Sequence, residues 1–203
     1  MSIDFPTLVA DFKQRATYAS VEFIDQNGDR QTDSDPCFST ISGHLQSREY
    51  LKKDELLEIG RWKVQGGRID RHLEKNSPAV VKEQSELAFT ADKDETRIAA
   101  LSELTGVRVP VASTILAMWK PTKHAVIDYR ALRALPAAKP QLLDHTEYAE
   151  FAEFLELFRT YGSDPSAYEF YIDHVRELAE QNDLLPREVD MALWEYDRKR
   201  TES

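Results

Sequence analysis

From residue 45 onward the apolar side chains recur at a spacing of about 3.6 residues almost without a break, a period that fits helices and leaves little room for a sheet. Ser47 is placed to cap a helix through Tyr50, Leu51, Leu56, Leu57 and Ile59 toward Trp62, with Gly66-Gly67 to end it. Ser77-Pro78 supplies a cap and a first-turn proline for a helix with Val80, Val81, Leu87 and Phe89 on one side. Asp92 or Asp94 starts the next, with Ile98, Leu101 and Leu104 facing inward. Pro110 opens and Pro121 closes the run VASTILAMW. Beyond a linker at Pro136–Pro140, Thr146–Tyr161 sets Tyr148, Phe151, Phe154, Leu155 and Phe158 opposite an acidic stripe of Glu147, Glu150, Glu153 and Glu156. Asp164-Pro165 and Pro186 open the last two helices, whose stripes are Tyr168, Tyr171, Ile172, Val175, Leu178 and then Val189, Leu193, Tyr196.

The expected fold is therefore all-α. Residues 1–45 form a distinct N-terminal region, with a helix carrying Phe5, Leu8, Val9 and Phe12. A small hairpin follows, in which Asn27-Gly28 turns between VEFI and DRQT. Residues 46–203 form the main helical domain. Asp25-x-Asn27-Gly28-Asp29 does not fit a calcium loop, because its glycine comes too early.

The single cysteine, Cys37, excludes an intrachain disulfide and a cysteine-based metal site, and the five histidines lack metal-binding spacing. No apolar run approaches the ~20 residues that span a bilayer. The opening MSIDFPTLVADFKQRA lacks the basic-then-apolar layout of a secretory signal, so a reducing cytoplasm is the expected compartment. A net charge of −10 repels nucleic acid at long range. The charge is uneven, however. Between Thr105 and Lys139, Arg108, Lys120, Lys123, Arg130, Arg133 and Lys139 face Asp128 alone. Between Arg61 and Lys75, the segment RWKVQGGRIDRH and its flank carry Arg61, Lys63, Arg68, Arg71 and Lys75 against Asp70 and Glu74. Solvated helix faces produce such clusters, and so does one basic surface suited to backbone phosphates.

Leu104-Thr105-Gly106-Val107 ends one helix and begins a turn in which Gly106 takes positive φ at little cost. Val107 is the apolar plug between two packed helices, and Ala112 is small where the second helix presses on the first. The N–H groups and dipole at the start of that second helix favour an anion such as a phosphate, with Arg108 to add a charge. An ordinary αα-hairpin shows the same spacing.

Farther along, Leu104, Gly106, Val107, Ala112, the apolar helix Ser113–Trp119, Pro121 and Ile127-Asp128 follow one another. This run resembles the helix-hairpin-helix DNA glycosylase superfamily, which includes endonuclease III-like and 8-oxoguanine glycosylase-like enzymes. The pattern there is L-x-G-h-G-x-x-x-A, an apolar helix, a proline-containing loop and an apolar-Asp dipeptide. The resemblance covers about 30 residues and implies a glycosylase-like helical fold with its hairpin element at 94–120. By it Asp128 is the catalytic carboxylate of a monofunctional DNA N-glycosylase. The same resemblance implies duplex DNA with a flipped base as partner. Gly106, Val107, Arg108, Lys63, Arg68, Lys123 and Arg130 are the expected contacts to DNA. The pocket is to be lined from Trp62, Trp119, Trp194 or a tyrosine, with His124 as a further candidate.

Two departures stand out. The nucleophilic lysine of bifunctional members falls on Pro110, which cannot form a Schiff base, and the second hairpin glycine is Arg108. Lys63 substitutes for the missing lysine only if the fold brings it close. There is no four-cysteine cluster for an iron–sulfur site, and no cofactor is implied. Two other readings remain open. Asp128 directly precedes YRALRAL and reads equally as a helix N-cap. The same fold also serves as a non-catalytic DNA-binding module or as a protein-interaction module acting through the acidic helix 146–161.

Overall fold

A computed structural model describes residues 3–15, 21–24, 30–33, 35–64, 67–143 and 162–202. Ten α-helices are described: α1 (Phe5–Gln14), α2 (Pro36–Arg48), α3 (Lys53–Lys63), α4 (Asp70–Leu73), α5 (Pro78–Thr90), α6 (Asp94–Ser102), α7 (Val109–Trp119), α8 (Tyr129–Ala138), α9 (Ser166–Asn182) and α10 (Pro186–Thr201). A 3-10 turn spans Pro140–Leu143. The body is all-helical, as the apolar period predicts. Strands β1 (Val21–Ile24) and β2 (Arg30–Asp33) pair antiparallel, with Val21 opposite Asp33. The Asn27-Gly28 turn and the acidic segment 146–161 lie outside the described residues.

The helix α7 organises the rest. Its sequence VPVASTILAMW carries no charge, and every residue except Pro110 is buried. A helix apolar all round must be enclosed on all sides, and α2, α3, α6 and α9 pack against it. The helix α10 lies against α1, α8 and α9, and α5 packs on α6. Residue 45 falls inside α2, and α1 packs on the C-terminal helix.

Several helix ends follow the sequence signals. The Ser77 hydroxyl accepts from the Val80 N–H, and Asp128 accepts from the Arg130 N–H. Other expectations need correction. Ser47 lies in the last turn of α2 rather than capping a helix. Glu49, in the left-handed region at φ 55, ends α2, and Tyr50 and Leu51 form the link to α3. On α5 the buried stripe is Val81, Ser85, Ala88 and Phe89. The helical turn angle places Val80 and Leu87 off that stripe, and both are exposed. The expected linker at Pro136 is instead the last part of α8, which runs through that proline to Ala138.

The hairpin between α6 and α7 is held from outside. Gly106 has φ +88, and a Cβ there would stand 2.7 Å from the His72 Cβ of α4. Asn76, buried after α4, donates to the Leu73 and Thr105 carbonyls (both 2.9 Å), and its Oδ1 accepts from the Thr105 N–H (2.8 Å). Thus α4 and Asn76 fix the turn that launches α7.

Candidate functional site

The C-terminal end of α3 meets the N-terminal ends of α2, α8 and α10. Trp62 donates its indole N–H to the carboxylate of Asp35, the N-cap of α2, at 2.9 and 3.0 Å. Lys63 donates to Asp128 Oδ2 at 2.9 Å, and Asp128 Oδ1 accepts from the Arg130 N–H at 2.8 Å. The fold therefore brings Lys63 to Asp128 across 65 residues of chain. The lysine side chain is 11% exposed and the aspartate 30%, so the pair is partly shielded from water. Burial pushes the Asp128 carboxyl up. The Lys63 ammonium and the Arg130 N–H more than offset that, holding it below the usual carboxylate range. At neutral pH the group is a fixed anion.

Behind this pair sits a second one, both of whose members are buried. Arg187 pairs with Asp190 one turn along α10. The guanidinium carbon lies 5.0 Å from the Phe38 ring centre, 5.7 Å from Phe12 and 5.8 Å from Trp62. Its Nε and Nη2 have no hydrogen-bond partner among the described residues. Burial pushes the Asp190 carboxyl up to about 6, against the pull of Arg187, the Val126 N–H and Lys63. The Lys63 charge thus acts on both carboxylates. One is held low and the other high, the separation that distinguishes a permanent anion from a group able to carry a proton.

The remaining expected site residues are dispersed. Val107 is core rather than a contact surface: its side chain is buried and its N–H donates to the Leu104 carbonyl at 2.9 Å. The Val109 N–H donates to the Gly162 carbonyl at 3.0 Å. The Val109 amide, one of those expected to face a phosphate at the start of α7, is therefore engaged inside the protein. Gly106 faces α4, while Arg108, Arg68 and Lys123 are exposed.

The expected basic surface is neutralised in part. Arg130 meets Glu202 at 3.1 Å and Asp197 at 3.7 Å, Arg133 grips Asp197 at 2.7 and 2.6 Å, and Lys139 pairs with Glu177. The Lys120 ammonium lies 3.8 Å from the Trp119 ring centre.

The proposed pocket aromatics divide. Trp119 is core, stacked on Phe89 at 4.3 Å. Trp62 adjoins the Lys63–Asp128 pair, and Trp194 stands edge-on to Phe12. His124 is neither pocket nor surface. It is 2% exposed, its Nδ1 lies 3.2 Å from the Tyr168 hydroxyl and 3.6 Å from Asp94, and burial lowers its pKa to about 3. Cys37 is held as a thiol, pushed up to about 11 by burial and by Asp35 and Glu58.

Two surface clefts are described, of about 590 Å³ beside Tyr50, Leu57, Pro78 and Lys82, and of about 510 Å³ beside Lys123, Arg176 and Pro186. Neither is lined by Asp128. Among the described residues, no group of three or more His, Cys, Asp or Glu side chains is arranged to hold a metal, and no helix is long and apolar enough to cross a membrane.

Sequence reasoning missed Asp190, Arg187 and Asn76. The first two share a helix face with Asp197, a charged stripe at 187, 190 and 197 that reads as solvated. Only the contacts with Val126 and Arg133 reveal it as buried. No family model, curated protein or solved structure matches the chain.

Proposed function

We propose that this chain is a DNA-binding, glycosylase-like protein that hydrolyses an N-glycosidic bond, with Asp128 as its catalytic carboxylate. The observation that carries this reading is the Lys63–Asp128 pair at 2.9 Å, set at the N-terminus of α8 directly beyond the hairpin and its apolar helix. Base release leaves positive charge on the sugar in an oxocarbenium-like transition state, and a fixed anion stabilises that charge and orients water. Asp128 is such an anion because Lys63 and the Arg130 N–H keep it ionised. Lys63 is the amine beside it, in a chain whose hairpin offers Pro110 at the family's lysine position. Borohydride trapping on an abasic duplex would show whether Lys63 forms an imine.

The test is incubation with short duplexes carrying deaminated, alkylated or oxidised bases, scored by alkali-labile strand breaks. Release from one lesion class, reduced at least a hundredfold in Asp128→Asn (on the order of one lost electrostatic contact), supports the reading. Duplex binding at low salt without base release from any lesion sinks the catalytic half. Full release by Asp128→Asn shows that another residue does the work.

A non-catalytic module on the same fold is the second reading. Both Asp128 oxygens are already engaged, one as a helix cap. Arg130 and Arg133 are neutralised by Asp197 and Glu202. Undetectable duplex binding at low salt would remove both DNA readings and leave a protein-interaction role.

A further inference from the structure

The segment Ala125–Ile127, which delivers Asp128, is buried and extends from the end of a turn without a strand beside it among the described residues. Buried peptide groups need partners, and here side chains from three helices supply them. The Val126 N–H donates to Asp190 Oδ2 at 2.6 Å. The Val126 carbonyl accepts from the Tyr171 hydroxyl at 3.3 Å, and the Ile127 N–H donates to Ser113 Oγ at 3.1 Å. Asp190 is the charged member of this set and makes its shortest bond.

Asp190 also reaches the other partner of the site. Its second oxygen pairs with Arg187, whose guanidinium lies against the Trp62 ring, and Trp62 immediately precedes Lys63. One buried ion pair therefore touches the chain two residues before Asp128 and one residue before Lys63. A buried pair of this kind is a poor source of stability beside an apolar replacement, and fixing a geometry is a use such pairs can serve.

We propose that Asp190, with Arg187, is the positioning residue of the site: it sets the distance between Lys63 and Asp128 through the Val126 backbone and the Trp62 ring. The proposal rests on reading Asp128 as the functional carboxylate, but its test needs no substrate.

In Asp190→Asn the amide oxygen can still accept from Val126, while the amide cannot pair with Arg187. The carboxyl carbon of Asp128, titrated by NMR in folded wild type and variant, reports the outcome by whether its pKa rises. Asp190, with its carboxyl near 6, is already protonated where Asp128 titrates, so exchanging it for an amide by itself leaves the Asp128 pKa where it is. Letting Lys63 drift away raises it. The expected result is a tenfold or greater rise in the proton affinity of Asp128, or about one pKa unit. An unchanged or lowered value in a folded variant overturns the proposal.

Should Asp190→Asn fail to fold, Arg187→Lys keeps a cation for Asp190 but gives up the guanidinium that lies 5.8 Å from the Trp62 ring centre. The same rise is expected there, and its absence again overturns the proposal. A wild type that releases no base sinks the catalytic reading and leaves this one standing, whereas an unmoved Asp128 sinks this one alone.

Discussion

Replacing Gly106 with alanine separates two physical demands at the hairpin, backbone conformation and close approach. At φ +88 an L side chain carries a backbone cost of about 1–2 kcal/mol. The new Cβ would also stand 2.7 Å from the His72 Cβ, 3.3 Å from Leu73 Cδ2 and 3.4 Å from the His72 carbonyl carbon. Two of those atoms belong to or adjoin the backbone of α4 and cannot simply rotate away, so overpacking adds about 1–3 kcal/mol. The sum, about 2–5 kcal/mol, is a large part of a stability of roughly 5–15 kcal/mol. At about 2–4 °C per kcal/mol for a chain of this size, it lowers the Tm by about 4–20 °C.

Gly67→Ala is the control. It shares the positive φ, at +67, but its Cβ meets nothing within 4 Å, so only the backbone cost of about 1–2 kcal/mol remains. Gly43→Ala, inside α2 with open space around it, should raise stability by about 0.5–1 kcal/mol. Thermal and urea unfolding of the three variants give the comparison. Equal losses for Gly106→Ala and Gly67→Ala would refute the argument that α4 presses on the hairpin.

Two further measurements probe the frame of the site. Asn76→Ala removes three hydrogen bonds that clasp the Leu73 and Thr105 backbone. At roughly 1 kcal/mol each, the loss should be about 2–4 kcal/mol in urea unfolding; a loss under about 1 kcal/mol would show that the turn holds itself. The acid limb of stability should carry two opposed contributions. His124 titrates at about 3 in the fold against 6.5 unfolded, so the unfolded chain takes up its proton first and stability falls as pH drops through that window. Asp190, at about 6 against 3.8, takes up its proton first in the folded state and favours the fold as pH drops from 6 toward 3.8. His124→Gln should flatten the decline in urea midpoint between pH 6.5 and 4.5, and an unchanged slope would show that His124 has no part in it.

Much of the frame is legible along the chain, because its signals are local. A charge-free run followed by a proline marks α7, Ser77-Pro78 marks the start of α5, and an aspartate before an amphipathic run marks the cap of α8. The chemistry is legible only in part. Asp128 is singled out by its neighbours, yet Lys63 reaches it only because α3 packs on α7, a contact no spacing encodes. His124 lies in the suspect loop but turns inward to Tyr168, since its aromatic body fits between Trp119 and Tyr168. The basic count near Asp128 is real, but the acids that cancel it arrive from a helix some 64 residues later in the chain.

The side-chain tether on Ala125–Ile127 also bears on when the site comes into being. Its bonds close loops of 14, 43, 45 and 64 residues, to Ser113, Tyr168, Tyr171 and Asp190. A chain emerging from the ribosome has the residues for the hairpin, α7 and the Lys63–Asp128 contact while α9 and α10 are still unmade. Asp128 then sits on a strap fastened by Ser113 alone of its four side chains. The last fastening waits for the C-terminal helix, so a truncated or nascent product can look folded by its helix content and still lack a fixed carboxylate. The order of the residues in the chain alone therefore places the Asp190 fastening after α10 has been made.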